Sequence, residues 1–386
     1  MYKWLKHPAL VTGCAMFSMF FGSGNVIFPL VIGQAALDQT PYAILGLLLT
    51  AVAMPFAGLM AMILFEGDYE KFFARMGKTA GFVVAVILVA LMGPFGVLPR
   101  CVMVAFGTVK TVLPDLPVLP FTIGTLLLVF LFTFRKRAIL QLLGYVLTPL
   151  LLVSLGVIIV KGLVDAPAAA AAEQAAGVVF LHGLKEGYNT MDLLAAFFFS
   201  GVVLTCLKAK IPEGADRTKR IMRLTLQGSC VGAALLGLTY MGFCYVASFY
   251  GAGLTDVPAD QLLASIALKV LGPSAGLVAA IVVASACLTT AIALAAVSAQ
   301  FLHNDVCREK MSYIQALVWV LLCSFVVSTL EFVGIQRLLG PIVQVLYPAL
   351  IVLAVVNIAH KLFGMQMVRR PVYAIFGASL ASYLWL

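Results

Sequence analysis

The chain has 386 residues, of which 63% are hydrophobic and only 11% are charged, and its mean hydropathy is +1.08. Soluble domains have about 25% charged residues, so this composition excludes an ordinary soluble protein and indicates an integral membrane protein. The apolar runs are continuous and close to ~20 residues long, which excludes a membrane barrel built from alternating strands of ~10 residues.

The sequence predicts an all-α membrane protein that forms one transmembrane domain over residues 1–386. About eleven spans follow from the apolar runs, because most runs are long enough for a transmembrane helix. In chain order, the predicted spans cover residues 8–36, 42–65, 79–113, 118–134, 138–161, 188–207, 221–250, 262–302, 312–332, 340–360 and 371–386. The last of them is an extra C-terminal helix that is short for a full crossing.

The basic residues predict the orientation of these spans. With the N-terminus in the cytoplasm, the inner segments carry 19 of the 25 Lys and Arg residues, and the outer segments and helix ends carry 5. This asymmetry follows the positive-inside rule. The net charge of +9 is therefore a sign of membrane topology rather than of nucleic-acid binding. The remaining cation, Arg100, lies within the third span, where a buried arginine needs a cavity or a partner such as a gate ion pair.

Helix-breaking residues interrupt the first span. Gly22, Ser23, Gly24 and Asn25 follow one another in the middle of the apolar run, and Pro29 closes the segment. Non-helical backbone persists in hydrocarbon only where it lines a cavity or a water path. A broken helix at mid-membrane is typical of a transporter binding site, so the sequence predicts a discontinuous first helix.

The sixth span repeats part of this pattern. Residues 197–201 (FFFSG) resemble residues 20–24 (FFGSG), five spans earlier. Because five is odd, the second copy enters the membrane in the opposite sense, which predicts a five-plus-five inverted repeat over about 8–161 and 188–360. The second break is then expected at Ser200 and Gly201. Chance is the alternative, because small residues also pack membrane helices together.

Four motifs resemble those of the bacterial branched-chain amino acid:cation symporter family. They are residues 21–29 (FGSGNVIFP), 93–100 (GPFGVLPR), 187–193 (GYNTMDL) and 286–291 (ACLTTA). Their order and spacing match the family, and the resemblance covers essentially the whole chain. It implies a LeuT-like fold with discontinuous helices 1 and 6. It also implies sodium-coupled import of leucine, isoleucine and valine across a bacterial inner membrane.

The breaks are expected to bind the amino acid. Backbone N–H groups at the start of a half-helix suit a carboxylate, and unwound carbonyls can accept from an ammonium group or ligate a cation. Phe199 is expected to contact the aliphatic side chain, with ordinary core packing or lipid contact as the alternative for these phenylalanines. The predicted substrate-binding residues are Gly22, Ser23, Gly24, Asn25, Phe198, Phe199, Ser200 and Gly201.

A sodium site is expected on the eighth span. The spacing of Ala286, Thr289 and Thr290 puts one carbonyl and two hydroxyls on one helix face. The resemblance to LeuT-like transporters implies that this face meets the carbonyls of Ser18 and Phe21 around Na⁺, a hard cation that prefers oxygen ligands. The alternative is that the threonines bond back to carbonyls of their own helix.

Asp192 lies near the start of the sixth span, where we expect it to cap the helix rather than to bind a ligand. No proton-accepting carboxylate is evident inside a span, which favours sodium over protons as the coupling ion.

Other functions remain as alternatives. A secondary transporter of another solute, such as methionine or a nucleobase and with proton coupling, would show the same pattern. An intramembrane enzyme would need a nucleophile–base pair, a carboxylate pair or a metal cluster, and a channel would need a pore ring from an oligomer. ATP-driven transport would need a Gly-x-x-x-x-Gly-Lys-[Ser/Thr] loop. The sequence therefore predicts a transporter that is not an enzyme, with a small amino acid and the lipid bilayer as partners, Na⁺ as coupling ion and no organic cofactor.

Overall fold

The computed structural model describes residues 8–134, 138–167, 170–172, 174–211 and 217–385. Residues 1–7 and 135–137, which carry some of the basic residues used for the orientation, lie outside this part, as does Leu386. Throughout the described residues the regular structure is helical, as predicted. The helices are α1 Pro8–Phe20, α2 Ser23–Ala36, α3 Thr40–Leu48, α4 Met54–Leu64, α5 Tyr69–Ala74, α6 Lys78–Met92, α7 Val97–Lys110, α8 Val118–Phe134, α9 Ala138–Val164, α10 Ala176–Asn189, α11 Asp192–Lys210, α12 Arg217–Tyr250, α13 Leu262–Leu271, α14 Pro273–Phe301, α15 Tyr313–Ser328, α16 Glu331–Phe363 and α17 Arg369–Trp385.

Several helical segments can cross a membrane. By length and apolar composition, five of the described segments qualify, namely Ser23–Leu64, Lys78–Lys110, Lys219–Gly253, Gly276–Val306 and Glu331–Phe363. Shorter apolar helices accompany them, at Pro8–Phe20, Val118–Phe134, Leu151–Val164 and Tyr313–Ser328. Large apolar side chains such as Val160 and Trp319 are exposed on these helices, as expected where lipid replaces water. The number of eleven spans stays a prediction.

The first span is discontinuous, as predicted. Helix α1 ends at Phe20 and α2 begins at Ser23. In a continuous helix the N–H of Gly22 would donate to the carbonyl of Ser18, but here it donates to Asn25 Oδ1 over 2.8 Å. Asn25 therefore stabilises the break that the neighbouring glycines permit.

The sixth span is also discontinuous, but the predicted position of its break was wrong. Helix α11 runs without interruption through Ser200 and Gly201, and the hydroxyl of Ser200 donates to the Phe197 carbonyl of its own helix. The break lies at Thr190 and Met191, between α10 and α11, where Met191 has a left-handed φ of 62°. A serine–glycine pair is thus accommodated inside a helix once its hydroxyl has a local acceptor.

Most of helix α10 falls in a stretch that the sequence analysis left outside the spans, because the predicted sixth span begins at residue 188. Its charged side chains, among them Lys185 and Glu186, lower its hydropathy, but small residues let it pack closely on α3. A Cβ at Gly183 would lie 2.2 Å from the Ala43 carbonyl oxygen, and one at Gly46 would lie 2.3 Å from the Phe180 carbonyl oxygen. Because α10 ends at the second break, we now expect the second repeat to start near Ala176 rather than residue 188.

The third span, predicted as one helix over 79–113, is interrupted too. Helix α6 ends at Met92 and α7 begins at Val97, with the motif Gly93-Pro94-Phe95-Gly96 between them. Pro94 has no N–H to donate, and the amide of Phe95 reaches back to the Ala90 carbonyl. A Cβ at Gly93 would lie 2.0 Å from Ser298 Oγ, so the interruption brings α14 close to this span.

The helices around the two breaks pack against one another. Helices α1 and α2 contact α12, α7 contacts α14, and α11 contacts α4. Helix α10 also contacts α2, and the break between α1 and α2 faces the break between α10 and α11 in the interior of the protein.

Candidate functional site

A small cavity lies between the two breaks. It has a volume of ≈ 20 Å³, which is room for about one water molecule. Residues 22–25 line one side of it, and Thr190, Met191 and Asp192 line the opposite side. Arg100, Phe199 and Thr290 also contribute to its walls. Because this volume is far below the ~300–1,000 Å³ of ordinary ligand sites, the cavity must expand before it can hold a small molecule.

Backbone N–H groups without a partner in their own helix belong to residues that line this cavity. Ser23, Gly24 and Asn25 are the first three residues of α2, so their amides have no carbonyl partner within the helix. A Cβ at Gly24 would lie 2.8 Å from Arg100 Nη2 and 3.0 Å from both Cα and O of Thr190. Only glycine at position 24 therefore allows the two breaks and Arg100 to meet.

Arg100 fills the second break. Its side chain is 1% exposed, and Nη1 and Nη2 donate to the carbonyls of Asn189 and Thr190 over 2.7 Å and 3.3 Å. Nε donates to Ser23 Oγ over 3.3 Å, and the guanidinium lies over the ring of Phe28. These interactions satisfy carbonyls that the end of α10 leaves without an intrahelical donor. Arg100 thus faces a cavity, one of the two surroundings that the sequence led us to expect, and its hydrogen bonds go to carbonyls and a hydroxyl rather than to a gate ion pair.

Asp192 lies on the other side of the cavity and is 2% exposed. Its Oδ2 accepts from Asn25 Nδ2 over 2.7 Å and from the hydroxyl of Tyr240 over 3.0 Å, and Asn25 Nδ2 also contacts that hydroxyl. The expectation that Asp192 caps its helix was wrong, because Met191 occupies the N-cap position and the carboxylate turns toward Asn25 instead. A buried carboxylate therefore does lie at the break between α10 and α11, contrary to the sequence analysis.

Two tyrosines that the sequence analysis missed support these groups. Tyr240 comes from α12, and Tyr347 comes from α16, where its hydroxyl accepts from the amide of Leu193 over 3.3 Å and donates to the Thr50 carbonyl over 3.1 Å. Tyr188 stacks on Tyr347 with ring centroids 4.7 Å apart. The sequence feature that could have located this region is the motif at residues 187–193, because it contains the whole second break.

Some of the residues predicted to bind Na⁺ lie at the first break. Thr290 lines the cavity, and a Cβ at Gly22 would lie 3.1 Å from Thr290 Cγ2 and 3.5 Å from its Oγ1. The hydroxyls of Thr289 and Thr290 donate to the Ala286 carbonyl over 2.8 Å and 3.1 Å, which is the back-bonding alternative. A hydroxyl that donates keeps its lone pairs, so Thr289 and Thr290 fit a hard cation as they stand. The Ala286 carbonyl accepts from both hydroxyls and must lose one of these hydrogen bonds before it can ligate a cation.

Two of the proposed sodium ligands, Ser18 and Phe21, lie in the last turn of α1 and just after its end. Phe21 is buried at the break, where its ring stacks on Phe17 with centroids 5.1 Å apart. Ser18 lies in the last turn of α1 and is half-buried.

The residues predicted around the supposed second break separate into two groups. Phe199 is buried at the cavity and packs edge-on to Phe20, with ring centroids 6.4 Å apart. Phe198, Ser200 and Gly201 do not line the cavity. Phe198 instead packs against Tyr69 and Phe301, at the end of the bundle where α5 meets α14.

Two ionisable groups outside the cavity have raised pKa values. Asp260, in the loop before α13, packs onto α7, and a Cβ at Gly107 would lie 2.2 Å from its Oδ2. Burial raises the pKa of Asp260. Burial and a hydrogen bond with Asp305 raise the pKa of Tyr69.

Comparisons with known proteins identify the relatives of this chain. The sequence matches the family model described as "Branched-chain amino acid transport protein" over residues 6–383. It is 29% identical over 363 residues to the branched-chain amino acid permease BrnQ of Corynebacterium glutamicum, covering 92% of this chain and 82% of the permease.

Solved structures show the same fold. The inward-facing conformation of Mhp1 matches with a TM-score of 0.63 at 12% identity, covering 98% of this chain and 88% of Mhp1. The substrate-bound, outward-open state of a Na⁺-coupled sialic acid symporter matches with a TM-score of 0.55 at 10% identity and the same coverage, 98% and 88%. These likenesses confirm the LeuT-like fold with discontinuous helices.

Proposed function

Because the chain belongs to the family of branched-chain amino acid transport proteins, we propose that it is a Na⁺-coupled symporter of leucine, isoleucine and valine. It works by alternating access in a bacterial inner membrane, with its N-terminus in the cytoplasm. A named permease among its relatives marks it as a transporter rather than an enzyme. The observation that carries the proposal is the buried cavity that residues of both helix breaks line together.

The amino acid lies in this cavity once the breaks have moved apart. Its carboxylate meets the amides at the start of α2, where the helix dipole favours an anion. Much of the cavity wall is apolar, which suits a branched aliphatic group. The apolar side chains are those of Met19, Phe20, Met92, Val97, Met191, Ala195, Phe199 and Leu294. Phe198, Ser200 and Gly201 have no part in this site.

Sodium binds beside the first break in this proposal. Its ligands are the carbonyls of Ser18, Phe21 and Ala286 and the hydroxyls of Thr289 and Thr290. The support is the oxygen-rich donor set and the position of Thr290 against Gly22. One Na⁺ that moves inward gains about 2.3 kcal/mol per 100 mV. A tenfold gradient adds about 1.4 kcal/mol, so one-to-one coupling sustains an accumulation of roughly several hundredfold.

Proton coupling is the second candidate, because a buried carboxylate lies beside the substrate cavity. Asp192 accepts from Asn25 and Tyr240 and could exchange a proton with a substrate pathway. The same cavity would also take methionine, whose unbranched side chain is apolar and flexible.

Uptake by the purified protein in proteoliposomes tests these assignments. An inward Na⁺ gradient should drive the accumulation of labelled leucine, and choline in place of Na⁺ should abolish it. Accumulation driven by an inward proton gradient in choline would instead establish the proton-coupled candidate. Competition by unlabelled valine, isoleucine and methionine ranks the substrates, and the proposal requires methionine to compete less well than isoleucine.

A further inference from the structure

Two buried side chains of opposite charge line the same cavity without a hydrogen bond to each other. Arg100 donates to Asn189, Thr190 and Ser23, whereas Asp192 accepts from Asn25 and Tyr240. Charged groups buried in a membrane protein are costly unless they are paired or act on a ligand. The arrangement is thus one cation and one anion on the walls of a site that both helix breaks enclose.

Arg100 has hydrogen-bonding capacity left for an anion. A guanidinium carries five N–H groups, of which three have acceptors among the described residues. One N–H on each terminal nitrogen therefore remains for a ligand. The guanidinium also lies against Gly24, beside the amides at the start of α2. A carboxylate placed here would accept hydrogen bonds from the terminal nitrogens of Arg100 and would lie at the N-terminus of α2.

Asp192 likewise has capacity left for a cation. Asn25 and Tyr240 both donate to Oδ2, and the side chain of Thr190 also forms a hydrogen bond with the carboxyl group. A carboxylate has about four lone-pair positions, so it can accept further hydrogen bonds from an ammonium group. Since Asn25 follows Gly24 in α2, this acceptor lies next to the position where the carboxylate of a ligand would bind.

We propose that Arg100 and Asp192 together recognise the zwitterion of the transported amino acid. Arg100 binds the α-carboxylate jointly with the amides of α2, and Asp192 binds the α-ammonium group. This inference rests on the proposed function, because it names the groups that hold the substrate of that same site. It also explains why two charges are buried in the wall of one small cavity.

Analogues of leucine test this recognition on the wild-type protein, without any substitution. Leucinamide lacks the carboxylate and 4-methylpentanoate lacks the ammonium group, while both keep the branched side chain. A site built to bind both charges should bind each analogue at least about 100-fold more weakly than leucine. The measurement is competition against labelled leucine bound to purified protein. If either analogue competes as well as leucine, the proposal is overturned.

Two variants test which residue binds each charged group of leucine. Arg100→Gln should weaken leucine binding about 10- to 100-fold and change leucinamide binding much less. Asp192→Asn should weaken leucine binding similarly and leave 4-methylpentanoate binding nearly unchanged. Lys110→Gln and Asp260→Asn are matched controls, because these groups lie outside the cavity, and they should leave all three affinities within about twofold.

A structural role for these residues predicts a different pattern. If Arg100→Gln or Asp192→Asn weakens leucine and both analogues by the same factor, the side chains only hold the breaks together and the proposal is overturned. Failure of the proposed function is a separate result, because wild-type protein would then not bind leucine at all.

Discussion

Asn25 Nδ2 donates to Asp192 Oδ2 over 2.7 Å and so joins the break in the first span to the break in the sixth. The two residues are separated by 167 positions in the chain. The same Asn25 accepts the N–H of Gly22, so one carboxamide stabilises the first break and contacts the second. Any movement that opens the cavity must lengthen or exchange this contact.

Removal of the hydroxyl of Tyr240 tests this network. Tyr240→Phe takes one donor from the buried carboxylate of Asp192, which should cost about 1.5–3 kcal/mol of stability. We expect a lower melting temperature in detergent and slower leucine uptake. Tyr245→Phe, on the same helix, is the control and should behave as wild type. Equal effects of the two substitutions would argue against the network.

Two glycine substitutions test where the breaks lie. Gly24→Ala places a Cβ 2.8 Å from Arg100 Nη2 and 3.0 Å from Thr190, so uptake of leucine should fall at least ~10-fold. Gly201→Ala is the matched control, because nothing lies within 4 Å of its Cβ and alanine favours a helix. It should transport within about twofold of wild type. A severe loss in Gly201→Ala would mean that the sixth span unwinds at Ser200 and Gly201 after all.

The hydroxyl of Thr290 should control the response to sodium. Thr290→Val keeps the shape of the side chain but loses its oxygen, so the Na⁺ concentration for half-maximal uptake should rise about tenfold or more. Thr290→Ser should retain most of the response. Thr122→Val is the control, because the hydroxyl of Thr122 also bonds back to its own helix but lies on α8. An unchanged sodium dependence in Thr290→Val would remove Thr290 from the proposed ligands.

The raised pKa of Asp260 predicts a pH dependence of stability. Burial against α7 raises this pKa, while Lys110 lowers it and Glu331 adds to the rise. The folded protein then holds a proton more tightly than the unfolded chain, so stability should fall as pH rises from the usual Asp value of ~3.9 through the raised value.

Asp260→Asn should remove this dependence. The substituted protein should be more stable than wild type at neutral pH, and the difference in melting temperature should shrink toward pH 4. Asp256→Asn, at an exposed position in the same loop, serves as control. A difference between wild type and Asp260→Asn that is constant over this pH range would contradict the assignment.

The sequence predicted the class of protein and the first break because both depend on local properties. Apolar runs of span length and the cluster Gly22-Ser23-Gly24-Asn25 are visible without any tertiary information. The second break was different, because Ser200 and Gly201 look like helix breakers but form part of a regular helix. Thr190 and Met191 look unremarkable by composition, and the donor to the Thr190 carbonyl is the guanidinium of Arg100 from another span.

Contacts between distant parts of the chain also explain why the sequence did not reveal the rest of the site. Arg100 and Asp192 were recognised as unusual charges, but their partners are backbone carbonyls, Asn25 and a tyrosine that lie far away in the chain. Helix α10 was missed because its charged side chains hide an apolar face that packs on α3. Such contacts follow from packing rather than from periodicity, so a single sequence does not reveal them.

The structure of the protein with leucine and Na⁺, determined by cryo-electron microscopy, tests the central claim most directly. We predict leucine density between the two breaks, with its carboxylate at the amides of Ser23 and Gly24 and its ammonium group facing the 190–192 segment. The cavity should be larger than the ≈ 20 Å³ seen here. Leucine density beside Phe198, Ser200 and Gly201, away from the first break, would contradict the account.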